Sequence, residues 1–407
     1  MTAPLTVTGV LGGRWRADVT AAGDVVPWDG SAPLTWHVAA DDRWHTPAAE
    51  AAVRQTRIEG TPVVETRLRI PSGDAVQRVW SIADAGGLTL VSVTNESPLP
   101  IAVAFGRGDL RTVRPPASVP IEGISLPAGS VVFPVGHHST LTVGLAHRGG
   151  AGSLPATWPD AEQVVRGWVA AATRAGRFVV PDEGLETAIV VARCDLALAG
   201  PPASADDPAG FLLAVGQLVR MGSSEDADRW MPDVAHAAEL VGRAHRRRGG
   251  DWSVGAALDA AVGVAIAAGD AAARQDLGAL RSRLTIDRVL PDLPPAPGDP
   301  RWLAWQERRL VDGAPGVPGA PCRLLPLGLP PSWLGANVEA HGLPAGDGAT
   351  ASFALRWHGE RPAVLWESDV DLVAPVVAPA WSSAGAERGE ALWPAPPPIP
   401  VDSTSFQ

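Results

Sequence analysis

Residues 249–270 read GGDWSVGAALDAAVGVAIAAGD, and the reading of this stretch decides the fold. From Ser253 to Ala268 the chain is rich in Ala and nearly all apolar, with Asp259 as its one charge. A helix that is apolar on every side is buried by its neighbours. Gly249-Gly250-Asp251-Trp252 forms a loop ahead of it, and Gly269-Asp270 caps a further helix reaching about Leu284. The stretch therefore belongs to the middle of a packed helical layer.

The helical pattern extends upstream. Thr157-Trp158-Pro159-Asp160 offers a Ser/Thr-x-x-Asp cap before an amphipathic run to Ala175. Asp182 is expected to cap a second helix through Ala199, which Gly200-Pro201-Pro202 stops. Asp207-Pro208 pairs an N-cap with Pro at the first helical position and opens a third helix to Met221. A fourth region from Ser223 or Ser224 to Arg247 is expected to break near Pro232. Short loops make consecutive helices antiparallel neighbours.

On either side the period changes to two. Val64, Thr66, Leu68 and Ile70 fall on one face of a strand, and Val63, Glu65, Arg67 and Arg69 on the other. Ala75–Ile82, Leu88–Thr94 and Leu99–Phe105 follow with turn residues between them, and Val131–Val135 and Thr140–Ala146 read as later strands. Residues 287 to about 330 are rich in Pro and Gly and read as a connector anchored by Trp302 and Trp305. Beyond it, Ala351–Trp357 and Pro362–Glu367 form a hairpin around His358-Gly359-Glu360-Arg361. The expected fold class is α+β multidomain: an N-terminal β-sandwich over 1–155, an α-helical hairpin domain over 156–286, and a connector with a C-terminal antiparallel β-module over 287–407.

Composition narrows the function. A chain of 407 residues exceeds what one core usually holds. The net charge of −11 argues against a nucleic-acid partner, because such binders cluster Lys and Arg. The one dense basic run, Arg243-Ala244-His245-Arg246-Arg247-Arg248, sits at a helix end, where cations complement the macrodipole. The sequence contains no Lys and no Tyr, which excludes a Schiff-base Lys, a P-loop Lys and a Tyr acid/base. Two scattered cysteines, Cys194 and Cys322, make neither a disulfide framework nor a zinc site. The N-terminus has no basic n-region and no apolar h-region, and no apolar run is long enough to span a bilayer, so neither a signal peptide nor a membrane partner is expected. A cytoplasmic location and the absence of a cofactor are the expectations.

The order β, then helices, then β resembles the six-hairpin glycosidase type, as in glucoamylases, glycoside phosphorylases and debranching-type enzymes. Gln77-Arg78-Val79-Trp80, Gly87–Thr94 and Asn95-Glu96-Ser97-Pro98-Leu99-Pro100 are similar to the N-terminal sandwich of that type. The run from Asp182 to Leu284, with its Gly-Asp helix starts, resembles the repeated hairpins. Leu329-Pro330-Pro331-Ser332-Trp333-Leu334-Gly335 with Ser352–Trp357 looks like the C-terminal sandwich appended to such proteins. A full α/α toroid has six hairpins, and this block has room for about three at ordinary helix and loop lengths. The resemblance implies a carboxylate pair on loops and helix ends facing the toroid cavity. A shortened toroid is expected to lack a helix that delivers one of them.

The candidate catalytic residues are Asp251, Glu225 and Asp226; the candidate substrate-binding residues are Trp252, Trp230, Arg229, Trp357 and His358. Asp251 beside Trp252 would offer a carboxylate for sugar hydroxyls and a flat apolar face for the ring. The structural alternative makes Asp251 a helix cap and Trp252 core. Glu225, Asp226, Asp228, Arg229 and Trp230 gather near a helix start, where acids also belong for dipole reasons. His358 and Glu360 at a hairpin tip could form an acid/base pair; the alternative is a structural hairpin, with Trp357 and Trp366 packing across strands and Arg361 pairing an acid. His137 and His138 are adjacent, so in a strand they would point to opposite faces and could not share a metal. The residues and the resemblance together imply a carbohydrate-related protein that binds a saccharide or assists a true glycosidase, with weak or no hydrolysis. The alternatives are an active glycoside hydrolase whose cavity is completed by oligomerisation, and a structural or protein-interaction module. Implied partners are a saccharide and either a second copy of the chain or a glycosidase.

Overall fold

A computed structural model describes residues 5–118, 120–222, 227–313 and 321–396. Among them the chain is mixed α and β, with seven α-helices and five β-sheets. It divides into two compact units, 1–170 with 197–199 and 171–196 with 200–407. The break expected near 286 has no counterpart in this division. No helix among the described residues is long and apolar enough to cross a membrane.

In the first unit the longest ladder runs antiparallel through Val53–Arg57, Val64–Ile70, Gly73–Ile82, Leu88–Asn95 and Thr140–Ala146. Val64, Thr66, Leu68 and Ile70 are buried, as their alternation requires. A four-stranded sheet contributes Trp36, Val103, Phe105 and Phe133 to the same core, and a three-stranded sheet contributes Ala17, Val19 and Val25. Helix α1 (Ala161–Arg174) straddles the division between units. Its cap is Asp160, not Thr157: Gln163 N donates to Asp160 Oδ1 at 2.7 Å, and Asp160 N donates to Gln163 Oε1 at 2.9 Å.

The second unit holds helices α2 (Leu185–Ala199, through Leu196), α3 (Pro208–Arg220), α4 (Ala227–His245), α5 (Trp252–Ala267), α6 (Ala271–Ser282) and α7 (Pro300–Arg308). Asp207, Asp251 and Asp270 cap α3, α5 and α6 by accepting backbone N–H groups, as the sequence indicates. Asp182 does not cap α2, whose N-cap is Gly184 in a left-handed conformation. Its carboxylate instead accepts from Arg309 at 2.8 Å and from the Trp333 indole at 2.6 Å. Pro232 does not break α4. It is the sixth residue, so it removes one early intrahelical hydrogen bond and the packed face of the helix carries on past it.

The connector expected over 287–330 contains α7, capped by Asp299 with Pro300 at its first position. This helix is the seam of the unit. Ala304 and Trp305 join the helical core with α3, α4 and α5, while Trp302 and Leu303 join the core beneath the C-terminal strands. Those strands form a five-stranded sheet in the order Arg177–Val179, Val338–Gly346, Ala349–His358, Arg361–Ser368, Arg388–Leu392, and a four-stranded sheet beside it. The first strand comes from before the helices and pairs antiparallel with Val338–Gly346.

Candidate functional site

Two cavities lie within the second unit. The first, about 510 Å³ and open, is lined by His245, Arg248, Asp251, Asp287 and Arg301 among others. Among the described residues, Asp251 is the only candidate from the sequence that reaches it. One of its carboxylate oxygens is occupied as a cap, accepting from Ser253 N at 3.0 Å and Ser253 Oγ at 2.7 Å. Trp252 is 8% exposed and belongs to the helical core, so the expected acid-beside-indole platform is not formed. The loop puts the carboxylate at the helix end and drives the indole inward, as a buried helix start demands. Arg301 is held by Asp207 at 2.6 and 2.8 Å and by Asp299. His245 ends α4 and donates from Nδ1 to the Gly249 carbonyl at 2.8 Å.

The other candidates are dispersed. Glu225 and Asp226 lie outside the described residues. Trp230 is half-buried and meets Phe211 edge to face at 6.1 Å, and Arg229 is exposed on α4. Trp357 is half-buried and donates its indole N–H to Ala336 O at 2.7 Å. His358 is exposed and pairs with Arg361 across the hairpin turn. Trp366 faces Phe353 rather than Trp357, and Arg361 donates to the carbonyls of Trp393 and Leu392 rather than to an acid. None of Trp230, Arg229, Trp252, Trp357 and His358 lines either cavity.

The second cavity was not foreseen. It is a cleft of about 330 Å³ framed by α3, α5 and α7 and by the turn joining the two long C-terminal strands. Its walls are apolar, with Leu213, Val219, Val264 and Ile266, and its polar groups include Gln217, Arg220, Asp259, Glu307 and Arg308. No indole lines it. The turn on its rim is Asp347-Gly348, both at positive φ, with Gly346 opposite Ala349. Two left-handed residues in a two-residue loop are what a tight hairpin needs, and Asp-Gly supplies them.

Three carboxyls line this cleft: Asp347 is exposed at the rim, and Glu307 and Asp259 are buried, each held by two guanidiniums. Glu307 Oε1 accepts from Arg193 Nη2 at 3.0 Å, Arg220 Nη2 at 2.7 Å and Gln217 Nε2 at 2.8 Å, and its Oε2 accepts from Arg220 at 2.8 Å. Burial works against the charge on Glu307, but Arg220 and Arg193 outweigh it and hold the carboxyl below its ordinary range. Asp259 accepts from Arg281 on one oxygen and Arg308 on the other. Here burial prevails over both guanidiniums and pushes the carboxyl up to about 6. Arg308 also reaches Asp312 at 3.0 Å. Gln217, only 3% exposed, keeps an Oε1 with no hydrogen-bond partner.

The signal that could have found Asp259 is visible in the opening stretch. A lone acid in an otherwise apolar helix has no solvent face, so it must be paired or used. Glu307 and Gln217 carry no comparable mark. No group of three or more His, Cys, Asp or Glu side chains able to hold a metal occurs among the described residues. No protein-family model and no curated protein sequence matches the chain.

Proposed function

We propose that the cleft between α3, α5 and α7 binds a saccharide, and that the chain is a carbohydrate-related protein on a reduced glycosidase-type scaffold with weak or no hydrolysis. In this reading the first unit corresponds to the N-terminal β-sandwich, the helices to a partial α/α toroid, and the last strands to the C-terminal β-module. The carrying observation is that both buried carboxyls of the cleft, Glu307 and Asp259, have both oxygens occupied by guanidinium groups. Glycoside hydrolysis needs one carboxyl to give a proton to the leaving oxygen and another to activate water or attack. Carboxyls committed to arginines do neither, while the cleft still offers apolar walls and polar groups to a sugar.

Calorimetry with a panel of saccharides tests the binding, and aryl-glycoside turnover tests the chemistry. Binding without turnover is expected. Absence of binding by every saccharide at millimolar concentration would overturn the reading.

A second reading, an active glycoside hydrolase, is favoured by one observation. Asp259 is pushed up while Glu307 is held down, the asymmetry that separates an acid from a base. It requires turnover that disappears in both Asp259→Asn and Glu307→Gln; a wild-type chain inert toward aryl glycosides excludes it.

A further inference from the structure

We infer that the cleft takes one neutral, hexose-sized polyol ring and not a sugar chain, with Gln217 accepting a hydrogen bond from one of its hydroxyls. This deepens the saccharide reading and rests on it.

Size is the first argument. About 330 Å³ is roughly twice the ~150 Å³ of a cavity that takes benzene, a space suited to the dozen heavy atoms of a hexose. The cleft does not extend along α5, because the hairpin turn sits directly on that helix: a Cβ built on Gly348 would stand 2.8 Å from Ile266 Cδ1. The neighbouring backbone is as close, with Gly313 leaving no room for a Cβ against Ala345 O at 2.5 Å. In that direction a second ring would meet the turn.

Charge is the second. The buried charged groups of the wall are engaged within the protein: Arg220 and Arg193 with Glu307, and Arg308 with Asp259 and Asp312, while Asp347 at the rim is exposed and 3.9 Å from Arg281. A phosphate or an ammonium group would have to compete with these internal pairs for its counter-charge while losing its hydration.

Gln217 supplies the third. Its Nε2 donates to Glu307, which fixes the orientation of the amide and leaves Oε1 as an acceptor only. A buried acceptor left without a donor costs about 1–3 kcal/mol. A ligand hydroxyl that reaches it recovers that cost, and a ligand without a donor does not.

Calorimetry on the full chain, with glucose, galactose, mannose, myo-inositol, maltose, cellobiose, glucuronate and glucose 6-phosphate as probes, tests the inference. A neutral single-ring probe is expected to bind at least tenfold tighter than the disaccharides and the charged sugars. Gln217→Met is expected to weaken that binding at least tenfold. Gly263→Leu guards against misfolding: Gly263 lines the cleft on α5, and a Cβ there meets nothing within 4 Å. This variant fills the cleft with a better helix former and is expected to abolish binding with its melting temperature kept or raised. Disaccharides binding while single rings do not would overturn the inference and leave the saccharide reading standing. Silence from every sugar would overturn both. Unchanged affinity in Gly263→Leu would remove the cleft as the site, and unchanged affinity in Gln217→Met would remove Gln217 from recognition.

Discussion

Arg193 and Glu307 stand 114 positions apart in the sequence and 3.0 Å apart in the fold. Arg193 is 1% exposed, and burial pushes its guanidinium down to about 10. Removing Arg193 takes one of two guanidiniums from a buried carboxylate and leaves the carbonyls of Ala172 and Ala175 without their donor, at a cost of up to about 3–5 kcal/mol. Arg193→Met is expected to lose that much in urea unfolding. Adding Glu307→Gln to it is expected to restore a large part, because the pair adds little over neutral side chains. A single-variant loss below about 1 kcal/mol would show that Arg220 and Gln217 suffice to hold Glu307.

Asp259 gives a pH dependence of definite sign. Its folded pKa lies near 6 and its ordinary value near 3.8, so between these values the folded state keeps a proton that the unfolded state has lost. Stability from this group therefore falls as pH rises from about 4 to about 6, then levels. The unfolding free energy of the wild type minus that of Asp259→Asn is expected to decline over that window. A difference that grows with pH would mean that Arg281 and Arg308 hold the carboxyl ionised throughout.

The first unit responds in the opposite direction. His147 lies flat on Trp15, with centroids 4.1 Å apart, and its Nε2 meets Thr89 Oγ1 at 3.0 Å. Burial, with Arg16 nearby, lowers its pKa to about 4. Between pH 6.5 and 4 the unfolded chain binds a proton that the folded unit refuses, so acidification destabilises it by at most about 1.4 kcal/mol per pH unit. His147→Phe is expected to remove this slope, as read by thermal melts between pH 4 and 7.

Two helix-interior glycines separate packing from propensity. A Cβ on Gly216 of α3 would stand 2.8 Å from Ala260 Cβ on α5, while one on Gly263 meets nothing. Gly263→Ala is expected to stabilise by about 0.5–1 kcal/mol. Gly216→Ala gains the same propensity but forces α3 and α5 apart, at about 1–3 kcal/mol, and is expected to lower the melting temperature. Equal shifts in the two variants would show that this helix contact yields easily.

The parts of the fold that repeat locally were legible in the sequence. The alternation from Val64 to Ile70 and the caps at Asp207, Asp251 and Asp270 depend on residues a few positions apart. Helix α7 escaped because Pro and Gly crowd both its flanks, although Asp299-Pro300 repeats the start signal of Asp207-Pro208. The hairpin turn at Asp347-Gly348 is marked locally by its Asp-Gly pair. Asp182 has the composition of a cap, and only its distant partners Arg309 and Trp333 make it something else. The cleft was least legible: Gln217, Asp259 and Glu307 come from three helices, and no local pattern marks their convergence.

Pairing of Phe178 with Ala340 sets a clock on biosynthesis. The edge strand Arg177–Val179 leaves the ribosome about 160 residues before its partner, a wait of roughly 10–30 s at ~5–20 residues per second. Through that interval the apolar faces of α3 and α5 have no finished sheet to join at α7, and the strand itself has an open edge. The sheet of the second unit is thus expected to close only after Val338–Gly346 has emerged, and a nascent chain halted before Val338 is expected to be more open to proteolysis than the finished unit.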